Sequence, residues 1–217
     1  MTKIAVILSG SGYLDGTAVR EAVIALLALD RAGVSYQCFA PDIKQMHVVN
    51  HITGEEEAGQ RNVLVESARI ARGDVKELGQ AKESDFDAII MPGGFGMAKN
   101  LSDIAVNGKS GKIYPPLQSL LKDFWHAKKP IGAICISPAI LTAALADNAQ
   151  IEVTIGSDAD GLIDGLGGKH KDCHTSGYCV DLQNKVVSCP AYMSEDPLKD
   201  VADGIEKLVA EIINMAK

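Results

Sequence analysis

Aromatic side chains are scarce: one Trp, five Tyr and four Phe in 217 residues. Long hydrophobic runs are missing as well. The longest, Ala22 to Leu29, has eight residues. A bilayer-spanning helix needs roughly 20, so no membrane span is expected. There is no basic run, and the formal net charge is −7. Without a cationic stripe or many rings for bases to stack on, nucleic acid is not an expected partner. The cysteines, Cys38, Cys135, Cys173, Cys179 and Cys189, are odd in number and scattered. That is not a disulfide framework, and it fits a reducing compartment. No G-x-x-x-x-G-K-[ST] loop is present, which removes a P-loop nucleotide site. The opening stretch "MTKIAVILSGSG" holds too short an apolar run for a secretory signal and reads as a first strand. The expected location is the cytoplasm, with an organelle matrix also allowed.

What is present is an alternation of short apolar runs with helical patterns. "KIAVILS" (Lys3 to Ser9) is nearly all apolar, as a parallel strand covered on both faces must be. After a glycine-rich turn, with Thr17 as candidate cap, apolar residues at Val19, Ala22, Val23, Leu26 and Leu29 make one helical face that Gly33 ends. "VSYQCFAPD" reads as a second strand, and "MHVVNHITGEE" as a hairpin excursion turning at Thr53-Gly54. A helix is expected over Arg61 to Arg72. Then come the strand and loop "DFDAIIMPGGFG", a short helix in "AKNLSDIAVNG", and a helix from Pro116 to Ala127. "IGAIC" is a strand, "SPAILTAALA" a helix, "IEVTIG" strand-like and "DADGLIDGLGG" a short helix. "YCVDLQNKVVSC" is a hairpin, and Lys199 to Ala216 a terminal amphipathic helix. The sum is one α/β domain over residues 1–217, with a doubly wound, mainly parallel sheet in a three-layer α/β/α sandwich plus a small β-hairpin.

Two glycine loops invite functional readings. "SGSGYLDG" offers Gly10 and Gly12 of a dinucleotide fingerprint, and Asp42 after strand two stands where a ribose-binding acid would. Asp15 occupies the third glycine's place and Gly16 comes one residue late, so helix and strand lose the close approach the fingerprint requires. A plain strand-to-helix turn with an acidic lip is the better reading, and no cofactor is expected. Pro92-Gly93-Gly94-Phe95-Gly96, directly after an apolar strand, frees backbone N–H groups to point into a crevice and hold an oxyanion. It is also compatible with a simple turn at the sheet edge.

Cys135 stands in "IGAICISPAI", where a strand ends and a helix begins. Free cysteines are commonly buried and inert. A corner residue, however, is exposed at the top of the sheet, and the helix N-terminus would lower a thiol's pKa. Glu21 lies in the first helix near its packing face. A carboxyl there is costly unless partnered. Beside a thiolate it would keep its proton, or the two groups would titrate together.

These residues carry a resemblance. "AIIMPGGFG…KNLS", "IGAICISPA" and the "REAV…RAG" helix resemble the ThiJ/PfpI superfamily, related in fold to class I glutamine amidotransferases and flavodoxin-like proteins. "ILSGSGYLDG", "FAPD", "VNHITGE", "RNVLVESARIARG" and "CPAYM" resemble its ElbB-like branch, so the likeness covers nearly the whole chain. It implies Cys135 as nucleophile, Glu21 as the acidic partner, and the N–H groups of Gly94 and Ile136 as oxyanion donors. It also implies a homodimer. Two departures matter. Ser137 stands where amidotransferases carry glycine. The later "VTIGSD" stretch offers Gly156 and Ser157 where they carry a histidine, so glutamine hydrolysis is disfavoured.

The activity the resemblance implies is that of a cofactor-independent glyoxalase-like lyase acting on glyoxal or a similar small dicarbonyl, with deglycase or hydrolase activity as variants. A cysteine redox sensor is the alternative of another class. An accessory role in isoprenoid biosynthesis is attached to the branch, but no diphosphate-binding acidic cluster is present. "HKDCHTSGYC" gathers His170, Cys173, His174 and Cys179, residue types that zinc accepts, in a spacing that matches no standard finger, so no metal is expected. His170 is the nearest later histidine to serve as a base. Cys38 and Cys189 read as core, and His126 as a helix-end cation. His47 and His51 flank the excursion hairpin, which suits a lid or a dimer contact.

Overall fold

The computed structural model describes residues 2–217. Strands β1 (Lys3–Ile7), β2 (Ser35–Ala40), β3 (Val75–Glu77), β4 (Ala88–Met91) and β5 (Ile131–Ile134) precede a short parallel pair, β6 (Glu152–Val153) and β7 (Lys169–His170). Strands β8 (Cys179–Asp181) and β9 (Val186–Cys189) follow. The main sheet has seven strands in the order β3-β2-β1-β4-β5-β9-β8. All its pairings are parallel except β8 with β9, the expected hairpin.

The helices are α1 (Val19–Arg31), α2 (Val63–Ile70), α3 (Phe95–Lys99), α4 (Ile104–Asn107), α5 (Pro115–His126), α6 (Ser137–Leu145), α7 (Leu162–Gly165) and α8 (Leu198–Met215). They cover both faces of the sheet, making three layers. Side chains alternate along β1, so Ala5 and Ile7 join one core while Ile4 and Val6 join the other. The first core packs Ile89, Met91 and Ile131 against Leu117, Leu121 and Phe124 of α5 and Ile140 and Leu141 of α6. The second packs Ile90, Val187 and Cys189 against Ala22, Ala25 and Leu29 of α1 and Ile205, Leu208 and Ile212 of α8. This is the flavodoxin-like, class I glutamine amidotransferase-like arrangement.

Several local expectations are corrected. Thr17 does not cap α1: its hydroxyl accepts the Ser9 N–H at 2.7 Å, and the N-cap is Ala18, without a side-chain bond. Of "IEVTIG", Glu152–Val153 forms a strand, and it pairs with β7 outside the main sheet. The edge strand β3 carries only three residues, too few for an alternation to be read.

The strand order places the site. The chain lays β1, β2 and β3 outward in one direction, then returns to put β4 on the other side of β1. A crevice opens at such a reversal, beyond the carboxyl ends of the two diverging strands. The loops after β1 and β4 border it, and β5, next to β4, ends at Cys135.

Candidate active site at the Cys135 corner

Cys135 occupies the turn between β5 and α6 with φ +62°, a left-handed conformation that costs a non-glycine residue roughly 1–2 kcal/mol. Its N–H continues the ladder to the Cys189 carbonyl at 3.0 Å. The corner turns its side chain out of the sheet, although Cys135 remains only 7% exposed. The N–H groups of Gly94 and Ile136 act on its sulfur in the direction that favours the thiolate.

The loop Pro92-Gly93-Gly94 lies tightly against this corner. A Cβ on Gly93 would stand 2.5 Å from Cys135 Cβ and 2.8 Å from Glu21 Oε2. Gly94 adopts φ +98°, and a Cβ there would meet the Ala18 nitrogen at 2.4 Å. Only glycines let α1, the loop and the corner converge. Ser137, where amidotransferases carry glycine, donates its hydroxyl to the Pro92 carbonyl at 3.0 Å and ties the two loops together.

Glu21 is fully buried in the first turn of α1. Its Oε2 accepts the Gly93 N–H at 2.9 Å, its Oε1 accepts the Tyr192 N–H at 3.4 Å, and the carboxyl and Cys135 both adjoin Gly93. Tyr192 follows Ala191, which sits at φ +45°, so a strained backbone aims that N–H at the acid. Burial pushes the Glu21 carboxyl up to about 7, although the bonds from Cys135, Gly93 and Tyr192 favour the charged form.

The thiol corrects an expectation. The helix tip was expected to lower its pKa, and the Gly94 and Ile136 N–H groups do act in that direction. Burial, reinforced by the Glu21 charge, outweighs them and holds the thiol well above its ordinary value. The resting pair near neutrality is therefore a thiol beside a carboxyl that titrates.

Cys135, Glu21, Gly94 and Ile136 all border a cavity of about 600 Å³. Tyr13, Val19, Phe95 and Met193 give it largely apolar walls, and Arg20, His51, Ser194 and Glu195 add polar groups. Arg20 donates to the Tyr192 hydroxyl at 3.2 Å. The structure brings the four candidate residues together and leaves the other histidines elsewhere. His170 Nε2 accepts the Ile155 N–H at 3.2 Å, so it caps a backbone group. His47 pairs with Glu56 at 3.0 Å. His174 bonds Ser176, and among the described residues no group of three or more His, Cys, Asp or Glu side chains is placed to hold a metal.

Cys38 and Cys189 are core, as expected. Asp42 accepts from Asn62 at 2.7 Å, and Asp15 is fully buried rather than an acidic lip. Tyr192 and His51 went unrecognised as site residues. "CPAYM" and "VNHITGE" are conspicuous stretches, but nothing in their own pattern points at a thiol far away in sequence.

A model of the DJ-1/PfpI family matches residues 13–154. The chain belongs to the DJ-1/PfpI family. The rat mitochondrial ES1 protein homolog is 41% identical over 225 residues, covering 98% of this chain and 84% of the rat protein. The human mitochondrial glutamine amidotransferase-like class 1 domain-containing protein 3 is 41% identical, covering 98% of this chain and 83% of its own. Among solved structures, the isoprenoid biosynthesis protein with amidotransferase-like domain from Ehrlichia chaffeensis superposes with TM-score 0.96 at 45% identity over the full length of both chains. That neighbour is consistent with the ElbB-like branch. A ThiJ/PfpI domain protein from Brachyspira murdochii, at 15% identity and TM-score 0.60 over 98% of this chain and 96% of its own, shares the DJ-1/PfpI fold. No helix among the described residues is long and apolar enough to cross a membrane.

Proposed function

We propose that this DJ-1/PfpI chain is a cofactor-independent glyoxalase-like enzyme that converts a 2-oxoaldehyde and water to a 2-hydroxy acid. The observation that carries it is the buried Glu21–Cys135 pair, its two groups adjoining at the wall of an open cavity. The Cys135 sulfur adds to the aldehyde carbon, its proton passes to the Glu21 carboxylate, and Glu21 returns that proton to the carbonyl oxygen, which becomes the hemithioacetal hydroxyl. The Glu21 carboxylate then draws the C–H proton and returns it to the neighbouring carbon, while the hydroxyl proton moves to that carbon's oxygen, leaving a 2-hydroxyacyl thioester on Cys135. The Gly94 and Ile136 N–H groups steady the negative oxygen in these steps. Water cleaves the thioester and restores the thiol.

The cavity, about 600 Å³ with apolar walls, is larger than two-carbon glyoxal requires. It suits 2-oxoaldehydes that carry an apolar substituent.

The test is steady-state kinetics on glyoxal, methylglyoxal and phenylglyoxal with wild type, Cys135→Ser and Glu21→Gln. Both variants are expected to lose turnover. Full turnover by Cys135→Ser would overturn the assignment.

A homodimer is part of this reading. Val19, Val23 and Leu27 repeat at four-residue spacing along α1 and are all more than 40% exposed. Sedimentation equilibrium of wild type and Val23→Glu tests whether this stripe is the contact: the charge should yield monomer.

A further inference from the structure

We propose that His51, backed by Asp15, is the base that takes the proton from the water molecule that releases the acyl product from Cys135. The inference rests on the thioester reading above and supplies the step that reading leaves without a residue. The resemblance implies a histidine late in the chain, and this chain has Gly156 and Ser157 there. The structure brings a different histidine to the same cavity, from the excursion hairpin.

The hairpin is held by the bridge of Val49 with Glu56 and by the Asn50 N–H on the Glu55 carbonyl at 2.9 Å. His51 Nδ1 lies 3.0 Å from the Val49 carbonyl, an acceptor, so Nδ1 carries the proton. Nε2 is then a lone pair, and it accepts the Leu14 N–H in a long 3.3 Å bond. Asp15 stands behind it, fully buried. Its Oδ2 accepts the Val49 N–H at 2.8 Å, while its Oδ1 has no hydrogen-bond partner and lies 3.8 Å from Nε2. A buried carboxylate oxygen left unpaired is costly. It becomes paired when Nε2 takes a proton and a small ring shift turns the new N–H toward it. The site thus has two hydrogen-bonded states, one for each charge of His51, which is what a proton acceptor requires.

The surroundings agree. The Tyr13 ring meets the imidazole edge-on at 5.3 Å between centroids. A Cβ on Gly12 would stand 2.7 Å from the ring, so glycine makes room for it. The charged and titratable groups that line the cavity with His51 are Tyr13, Arg20, Glu21, Cys135, Tyr192 and Glu195, while Asp15 lies buried behind the ring and Lys99 Nζ holds the Leu14 carbonyl at 2.9 Å.

The step balances. Water's oxygen bonds to the thioester carbonyl carbon and one water proton goes to Nε2. The C–S bond breaks with its electron pair on sulfur, and the acid product's remaining proton passes through the Glu21 carboxylate to that sulfur, so the product leaves as a carboxylate, and His51 releases its proton to solvent. The net change is thioester plus water to thiol, carboxylate and one proton.

The test acetylates Cys135 with p-nitrophenyl acetate and follows decay of the acetyl thioester by mass spectrometry, so it needs no oxoaldehyde turnover. His51→Gln, on a partly exposed hairpin residue, should slow decay by about 10²-fold, the low end for loss of a general base. Hydroxylamine, a nucleophile that needs no base, should cleave the acetyl thioester at the same rate in wild type and His51→Gln. Asp15→Asn keeps an acceptor for Val49 but turns an NH2 toward Nε2 in place of the acceptor that the protonated ring needs, so it too should slow decay in water and leave hydroxylamine cleavage unchanged. Decay within twofold of wild type in His51→Gln, or equal slowing of water and hydroxylamine cleavage in either variant, would overturn the proposal. Normal thioester decay through His51 with no oxoaldehyde turnover would instead sink the glyoxalase reading and leave this one standing.

Discussion

Glu21 accepts the Gly93 N–H at 2.9 Å, so the acid of the first helix is held by the same glycine loop that offers the Gly94 N–H to the Cys135 sulfur. One backbone segment thus adjoins both members of the candidate pair, and the consequences can be measured.

The pH dependence of stability follows from Glu21. Its carboxyl titrates at about 7 in the fold against an ordinary 4.5 in the unfolded chain. Between these values the folded protein binds the extra proton. The contribution is therefore complete below pH 4.5 and is lost as pH rises through about 7, by roughly 3 kcal/mol. Glu21→Gln removes this slope and should be the more stable protein above neutrality. Chemical denaturation of both across that range checks it, and parallel stability curves would contradict it.

The pH dependence of activity has the opposite sense. In the proposed reaction the carboxylate form of Glu21 takes the thiol proton, so turnover should climb as pH passes about 7. An oxoaldehyde turnover profile that falls through this region would argue for a preformed thiolate instead.

Gly93→Ala should damage the site more than the fold. The new methyl would stand 2.5 Å from Cys135 Cβ. Relief requires the corner or the loop to move, at about 1–3 kcal/mol of stability. Misplacement of this size costs about 10²-fold in rate. A folded Gly93→Ala protein with wild-type kcat/KM would show that the close approach is not required.

Ser137→Ala removes the hydroxyl that reaches the Pro92 carbonyl at 3.0 Å in a fully buried position. Losing that bond should cost about 1–2 kcal/mol in urea denaturation. An unchanged midpoint would mean that the two loops do not depend on it.

The order of strands and helices was largely legible in the chain. Apolar runs such as "KIAVIL" and the spacing of Val19, Ala22, Leu26 and Leu29 are local patterns, and the layers follow from them. Thr17 misled because its neighbours suit a cap, while the tertiary contact with Ser9 claimed the hydroxyl. Edge strand β3 and the β6–β7 pair are too short to carry a period. In the site, the positions of Cys135 and Gly94 were visible as corners after strands. Glu21 was visible as a carboxyl out of place on a packing face.

By itself, then, the chain determined an α/β sandwich with a thiol at a strand-to-helix corner, because hydrophobic periodicity and glycine placement act over a few residues. Only the tertiary structure decided the chemistry of that thiol. Its protonation depends on burial and on a charge brought from the first helix, and the histidine that shares its cavity arrives on a hairpin. Proximity and desolvation belong to the assembled fold, and no local pattern encodes them.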